Sequence, residues 1–239
     1  MDELLDFLER YAPGYRRSLQ GAHKWRISEL EETFGKPLPA FYRAFASVMG
    51  INGGPLLAHV DTHEPTKIAE LYRFASVELP PRRFLFVFGD PSLDEAHYWL
   101  DLEAPSEDGD HEVVRMPFGT DAWETSLSRY YVSLREMLFV WGMENVCLSK
   151  FSLRASYFVS STSQDAPEIE DLAASFEKLG FRRLPYPRHC LLFERGDACI
   201  ELSRRPDAPN FWFRAGGRDP KEFQRFRAII EDLGGVEKM

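Results

Sequence analysis

Cysteine is scarce: Cys147, Cys190 and Cys199 are the only three in 239 residues. An odd number at these spacings fits neither a disulfide framework nor a zinc or redox motif. The expectation is small buried apolar side chains in a reducing, cytoplasmic setting. Long apolar runs are missing too. The most apolar stretch, Phe84-Leu85-Phe86-Val87-Phe88, falls far short of the roughly 20 residues of a membrane-spanning helix. The opening Met1-Asp2-Glu3-Leu4-Leu5-Asp6 places acids where an export signal carries basic residues. Neither membrane insertion nor export is expected. The chain also lacks a Gly-x-Ser-x-Gly elbow, a phosphate-binding loop, a Gly-rich dinucleotide turn and a His-Glu-x-x-His pair, so no motif points to those nucleophile, nucleotide and zinc-protease chemistries. The most informative absence is of one charge sign: no Lys or Arg occurs between Arg83 and Arg115.

What is present is a core-forming composition, 44% apolar and 14% aromatic, with a net charge of 29 − 38 = −9. Residues 1–155 hold 16 basic and 24 acidic side chains, a balance of −8, and the remainder 13 and 14, a balance of −1. An acidic surface repels phosphate backbones and attracts basic proteins, so a protein partner is expected and a nucleic acid is not.

Helical periodicity comes first. Leu4, Leu5, Leu8 and Tyr11 form an apolar stripe ahead of Pro13. Ser28 and Glu31 have capping-box spacing, Leu30 and Phe34 share a face, and Gly35 suits the left-handed end of a helix. Pro39 begins another helix, with Phe41, Ala44, Phe45, Val48 and Met49 at helical spacing until Asn52-Gly53-Gly54. From Pro80 the texture turns to strands at Phe84–Phe88, Ala96–Leu102 and Glu112–Met116, then to a helix from Ser126 to Trp141. A second pattern follows: strand 156–160, helix 168–179, strands 189–194, 198–203 and 211–214, and a closing helix 220–233. The predicted class is α+β, with one domain over 1–152 and a smaller C-terminal α+β module over 153–239.

Ile27-Ser28-Glu29-Leu30-Glu31, Phe34-Gly35-Lys36-Pro37-Leu38-Pro39, Phe41-Tyr42, Phe45 and Asn52-Gly53-Gly54 together resemble the opening signature of the SUKH superfamily, which contains fungal cell-wall assembly regulators and bacterial immunity proteins. The likeness covers about residues 20 to 145, continuing through Phe88-Gly89-Asp90 and Tyr98-Trp99-Leu100-Asp101. The chain departs from the pattern in the acidic segment Pro105 to His111 and in its C-terminal addition. The resemblance implies an antiparallel sheet flanked by helices and a non-enzymatic protein that binds other proteins, in bacteria usually a toxin that it neutralises. The signature residues themselves have structural work as caps, corners and core. Phe176-Glu177-Lys178-Leu179-Gly180-Phe181 ahead of strands resembles one module of the glyoxalase-type metalloenzymes, whose ligands are His or Glu on strands. His189, Glu194 and Glu201 are the candidates there, and they make no complete ligand set.

The Lys- and Arg-free stretch supplies the candidate partner-binding residues Asp90, Asp94, Glu95, Tyr98, Asp101, Glu103, Glu107, Asp108 and Asp110, a one-signed field with Tyr98 or Trp99 as an aromatic anchor. Trp99 has an alternative place in the core, and the acids an alternative as a solvated loop. An EF-hand counted from Asp101 fails, because Pro105 falls on a ligand position and Ser106 on the turn glycine. His59 and His63 lie beside Asp61 and Glu64, but Pro65 follows, and a loop is expected. No cofactor is expected. The sequence leaves three roles open: an immunity-type protein for a toxin with a basic face, a regulatory scaffold without a toxin, or a metal-dependent enzyme using the C-terminal module.

Overall fold

The computed structural model describes residues 1–91, 96–106, 109–119, 123–161 and 166–239. The chain divides into two compact units, Met1–Met137 and Leu138–Met239. Both combine helices with an antiparallel sheet, so the α+β class holds. The division lies ahead of the change of texture near residue 152, because residues 142–150 pack on the second sheet. Among the described residues no helix is long and apolar enough to cross a membrane.

In the first unit, α1 (Asp2–Tyr11) buries Leu4, Leu5, Phe7 and Leu8, with Asp2 and Glu3 at its positive end. Helix α2 (Lys24–Phe34) starts ahead of Ser28, with His23 at its cap, because Ile27 extends the buried stripe of Leu30 and Phe34 by one turn. Ser28 is therefore interior and the expected capping box does not form. The Glu31 carboxylate instead accepts from the Leu38 backbone N–H at 2.9 Å and from Arg43 at 3.3 Å, clasping the corner where Gly35 turns left-handed at φ 79°. Pro39 then caps α3 (Ala40–Met49).

The Asn-Gly-Gly turn has a partner the sequence does not reveal. The Tyr15 hydroxyl donates to the Gly53 carbonyl at 2.6 Å and accepts from the Leu56 N–H at 3.2 Å, and burial pushes its pKa up to about 12. Gly21 crosses the end of α3 so closely that a Cβ there would lie 1.8 Å from the Ser47 carbonyl oxygen. Helix α4 (Pro65–Phe74) occupies the segment after His63: Pro65 sits in the first turn, where its missing N–H costs nothing, and Ile68, Ala69 and Tyr72 face inward.

The first sheet is a meander of β1 (Phe84–Phe88), β2 (Ala96–Pro105), β3 (His111–Pro117) and β4 (Ser128–Tyr131). The expected helix from Ser126 is broken by that fourth strand, preceded by the short helix α5 (Trp123–Ser126). Tyr130 and Tyr131 have strong strand preference, and Val113 pairs with Tyr131 while Val114 pairs with Arg129. Helix α6 (Leu134–Trp141) begins only after Ser133, whose hydroxyl accepts from the Glu136 N–H at 3.0 Å.

The second unit begins within α6, whose last residues lead into a π-helical turn, Gly142–Cys147. Its strands are β5 (Leu153–Val159), β6 (Arg182–Arg183), β7 (Leu191–Arg195), β8 (Ala198–Arg204), β9 (Phe211–Gly217) and β10 (Val236–Lys238), in the order β10-β5-β9-β8-β7-β6. Helices α7 (Ile169–Lys178) and α8 (Pro220–Glu231) cover one face, where Phe176, Phe193, Phe213, Phe226 and Ile230 form the core. Asp219 caps α8 by accepting from the Lys221 and Glu222 N–H groups at 2.8 and 3.0 Å.

Two substitutions test this packing. Gly21→Ala forces the 19–22 strap off α3 and is expected to cost about 1–3 kcal/mol, the usual range for inserting atoms into a packed site; an unchanged urea midpoint for the first unit rejects the close approach. Tyr42 is fully buried and its hydroxyl has no partner among the described residues, so Tyr42→Phe is expected to be neutral or to raise stability by up to about 1 kcal/mol. A clear loss in thermal unfolding contradicts that placement.

Candidate functional site

Among the described residues, three acids of the stretch meet arginines: Asp101 and Asp90 pair with Arg83 and Arg115, which bound it, and Glu112 with Arg129 beyond it. Asp101 and Glu112 are directly opposite each other on β2 and β3, and both are buried. Arg83 answers Asp101 through its Nε at 2.7 Å and through a second N–H to the other oxygen. Arg129 makes the same two-pronged contact with Glu112, one prong at 3.0 Å. Asp110 is completely buried and accepts from the backbone N–H groups of His111 and Arg135, both at 2.8 Å. It thereby satisfies a donor at the start of α6. Asp90 pairs with Arg115 at 3.0 Å. Glu103 alone of the predicted acids in the described residues is mainly exposed, at 63%, and it also reaches Arg83 at 3.4 Å. Asp94, Glu95, Glu107 and Asp108 lie outside the described residues.

The predicted aromatic anchors are internal. Trp99 is buried, edge-on to Phe86 and Phe118, with its indole N–H donating to the Met116 carbonyl at 3.1 Å. Tyr98 is 7% exposed, and its ring and that of Tyr130 lie 5.1 and 5.3 Å from the Arg115 guanidinium. Burial raises the Tyr98 hydroxyl pKa. This end of the sheet is thus a packed Asp90–Arg115–Tyr98–Tyr130 box, and Tyr98 offers little surface to a partner.

Exposed aromatic surface is found elsewhere in the first unit. Trp25 on α2 is 59% exposed, Phe74 at the end of α4 is 77%, and Val77 just after it is 46%. Helices α2 and α4 pack together and are locked by Arg73, which donates to Glu29 at 2.9 Å and to Thr33 at 2.8 Å, and by Arg82 stacked 4.4 Å from the Tyr72 ring. Glu32, Glu70 and Glu78 are exposed on the same elements or beside them. This is a packed helix pair carrying isolated large apolar groups among carboxylates. A sequence signal exists for it: Phe74 falls off the stripe Pro65, Ile68, Ala69, Tyr72, and Trp25 off the stripe Ile27, Leu30, Phe34.

The second unit has a polar wall on the sheet face opposite its core. Glu201 of β8 is fully buried; Ser203 donates to it, and Arg214 of β9 pairs with it at 3.1 Å. The same guanidinium holds Glu144 of the π-helical turn at 3.1 Å. Burial raises the Glu201 pKa to about 7, against the pull of Arg214 and with help from the Glu144 charge. The strand residues proposed as metal ligands do not assemble: Glu201 is committed to Arg214 and Glu194 to Arg182. Among the described residues no three His, Cys, Asp or Glu side chains come together as a metal site. No protein-family model and no curated protein matches the chain.

Glu201 links stability to pH. Because its folded pKa lies above the ordinary 4.5, the native state holds a proton that the unfolded chain releases. That contribution is complete below about pH 4.5 and is lost as pH rises through about 7. Glu201→Gln is expected to flatten the fall in urea midpoint across this window, removing a pH-dependent difference of roughly 3 kcal/mol. Parallel pH profiles for the two proteins reject the assignment.

Proposed function

We propose that the chain is a non-enzymatic, cytoplasmic protein-binding module of the immunity type, which captures a toxin with a basic face and neutralises it. The observation that carries this role is the concentration of charge in one unit. Residues 1–137 hold 14 basic and 23 acidic side chains, 14 − 23 = −9, whereas residues 138–239 hold 15 of each. Ion pairs inside the first unit cancel to zero, so the whole excess remains as field around that unit. Such a field accelerates the approach of a basic partner by about 10 to 10³-fold at low salt.

The α2–α4 surface adds affinity to that steering. Phe74 and Trp25 are large side chains with little burial of their own, and aromatic groups of this kind supply most of the free energy of an interface once a partner desolvates them. The SUKH-like order of Gly35, Pro39, Tyr42, Phe45 and Asn52-Gly53-Gly54 supports a protein-binding role, shared by regulators and immunity proteins, and the acidic surplus favours a basic toxin as the protein bound.

The test is co-expression with the product of a neighbouring toxin gene. Co-purification and rescue of growth are expected, and Phe74→Ala or Trp25→Ala should weaken the complex by at least about tenfold while leaving thermal unfolding unchanged. Glu70→Lys with Glu78→Lys should slow association and reduce its salt dependence. Undiminished binding by all of these variants rejects the α2–α4 surface, and failure of any neighbouring gene product to bind rejects the immunity role.

A further inference from the structure

Two of the three thiols, separated by 52 positions in sequence, meet in the second unit: the sulfurs of Cys147 and Cys199 are 3.0 Å apart and both residues are buried. Their meeting has a specific structural cause. Cys199 on β8 lies opposite Gly216 on β9, and a Cβ at Gly216 would come within 2.9 to 3.1 Å of Phe151 and Leu148. The absent side chain lets Leu148 and Phe151 lie against the sheet, which carries Cys147, the residue before Leu148, down onto Cys199. The same turn is held one helical step away, where Glu144 pairs with Arg214. Cys190 is placed differently, its thiol donating to the Arg204 carbonyl at 3.7 Å.

We propose that Cys147 and Cys199 form a redox-responsive latch, which a peroxide closes to a disulfide that ties the π-helical turn Gly142–Cys147 to β8. The chemistry balances in two steps. One thiol sulfur attacks a peroxide oxygen, the O–O bond breaks, and a sulfenic acid and one water form. The second sulfur then attacks the sulfenic sulfur, expelling the hydroxyl as a second water and leaving the S–S bond, so that two thiols lose two electrons and two protons to the peroxide. The hydrogen bond with Cys199 and burial both raise the Cys147 pKa. Thiolate is the reactive species, so closure is slow and accelerates with pH. That behaviour belongs to a latch set by sustained oxidation rather than to a rapid peroxide scavenger.

The experiment uses the intact chain, fully reduced and then held with excess hydrogen peroxide, unfolded in guanidinium with an alkylating agent and weighed. Two of the three thiols should escape alkylation, the mass before alkylation should fall by that of two hydrogens, and a peptide map should join Cys147 to Cys199. Dithiothreitol should restore all three, and the oxidised form should melt several degrees higher, as expected for closing a long loop. Under the same treatment Cys147→Ser should keep both of its remaining thiols alkylatable. Three alkylated thiols in the oxidised wild type, a linkage through Cys190 or a disulfide between two molecules overturns the latch. The wild-type peptide map decides the matter even if the variant does not fold.

Discussion

Asp101 and Glu112 face each other across neighbouring strands, and like charges in that position repel. The first unit is organised around answering them. Arg83 precedes β1 and Arg129 lies on β4, so the two outer strands of the meander deliver the cations that let the two inner strands pair. With the carboxylates neutralised, β2 can bury Trp99 and Leu100 on its two faces. Asp110, at the turn between those strands, ends the acidic stretch by holding the first turn of α6. Asp90, Asp101 and Glu112, which look like part of a solvated face in the sequence, are thus joints of the fold, because the cations that meet them are distant in the chain.

Helix stripes were legible wherever apolar spacing and a terminating glycine agreed, as at Leu30, Phe34 and Gly35 or at Phe45 and Met49. Strands β1 to β3 were legible from Phe84–Phe88 and the alternation after Ala96. Local signals misled where two elements share a chemistry. Tyr130 and Tyr131 fit a helical stripe through Leu134 equally well, and only pairing with β3 makes them a strand. Ser28 resembles a cap, yet a helix starts where its buried stripe starts, at the turn containing Ile27. Pro65 reads as a breaker when it is a first-turn residue. The meeting of Cys147 with Cys199 leaves no trace in spacing, since it depends on Gly216 on β9, the strand after the one that carries Cys199.

The second sheet shows how one strand serves two environments. On β8, Ile200 and Leu202 join the aromatic core under α7 and α8, while Cys199, Glu201 and Ser203 alternate onto the other face. There a single guanidinium, Arg214, neutralises carboxylates from a strand and from the π-helical turn. A buried carboxylate answered by one shared cation is left easily protonated, which is why Glu201 responds near neutral pH. Gly216 makes this wall flat enough to receive Leu148 and Phe151.

Neutral internal pairs and a surplus of −9 on one unit together separate the charges that build the fold from those that face solvent. The helix pair α2 and α4, joined by Arg73 and Arg82, is where exposed aromatic groups coincide with exposed carboxylates. Hydrogen–deuterium exchange of the chain alone and with the proposed basic partner tests that surface directly. Protection on binding should concentrate in α2 around Trp25 and in residues 70–78; protection confined to other segments, with α2 and α4 unchanged, contradicts the account.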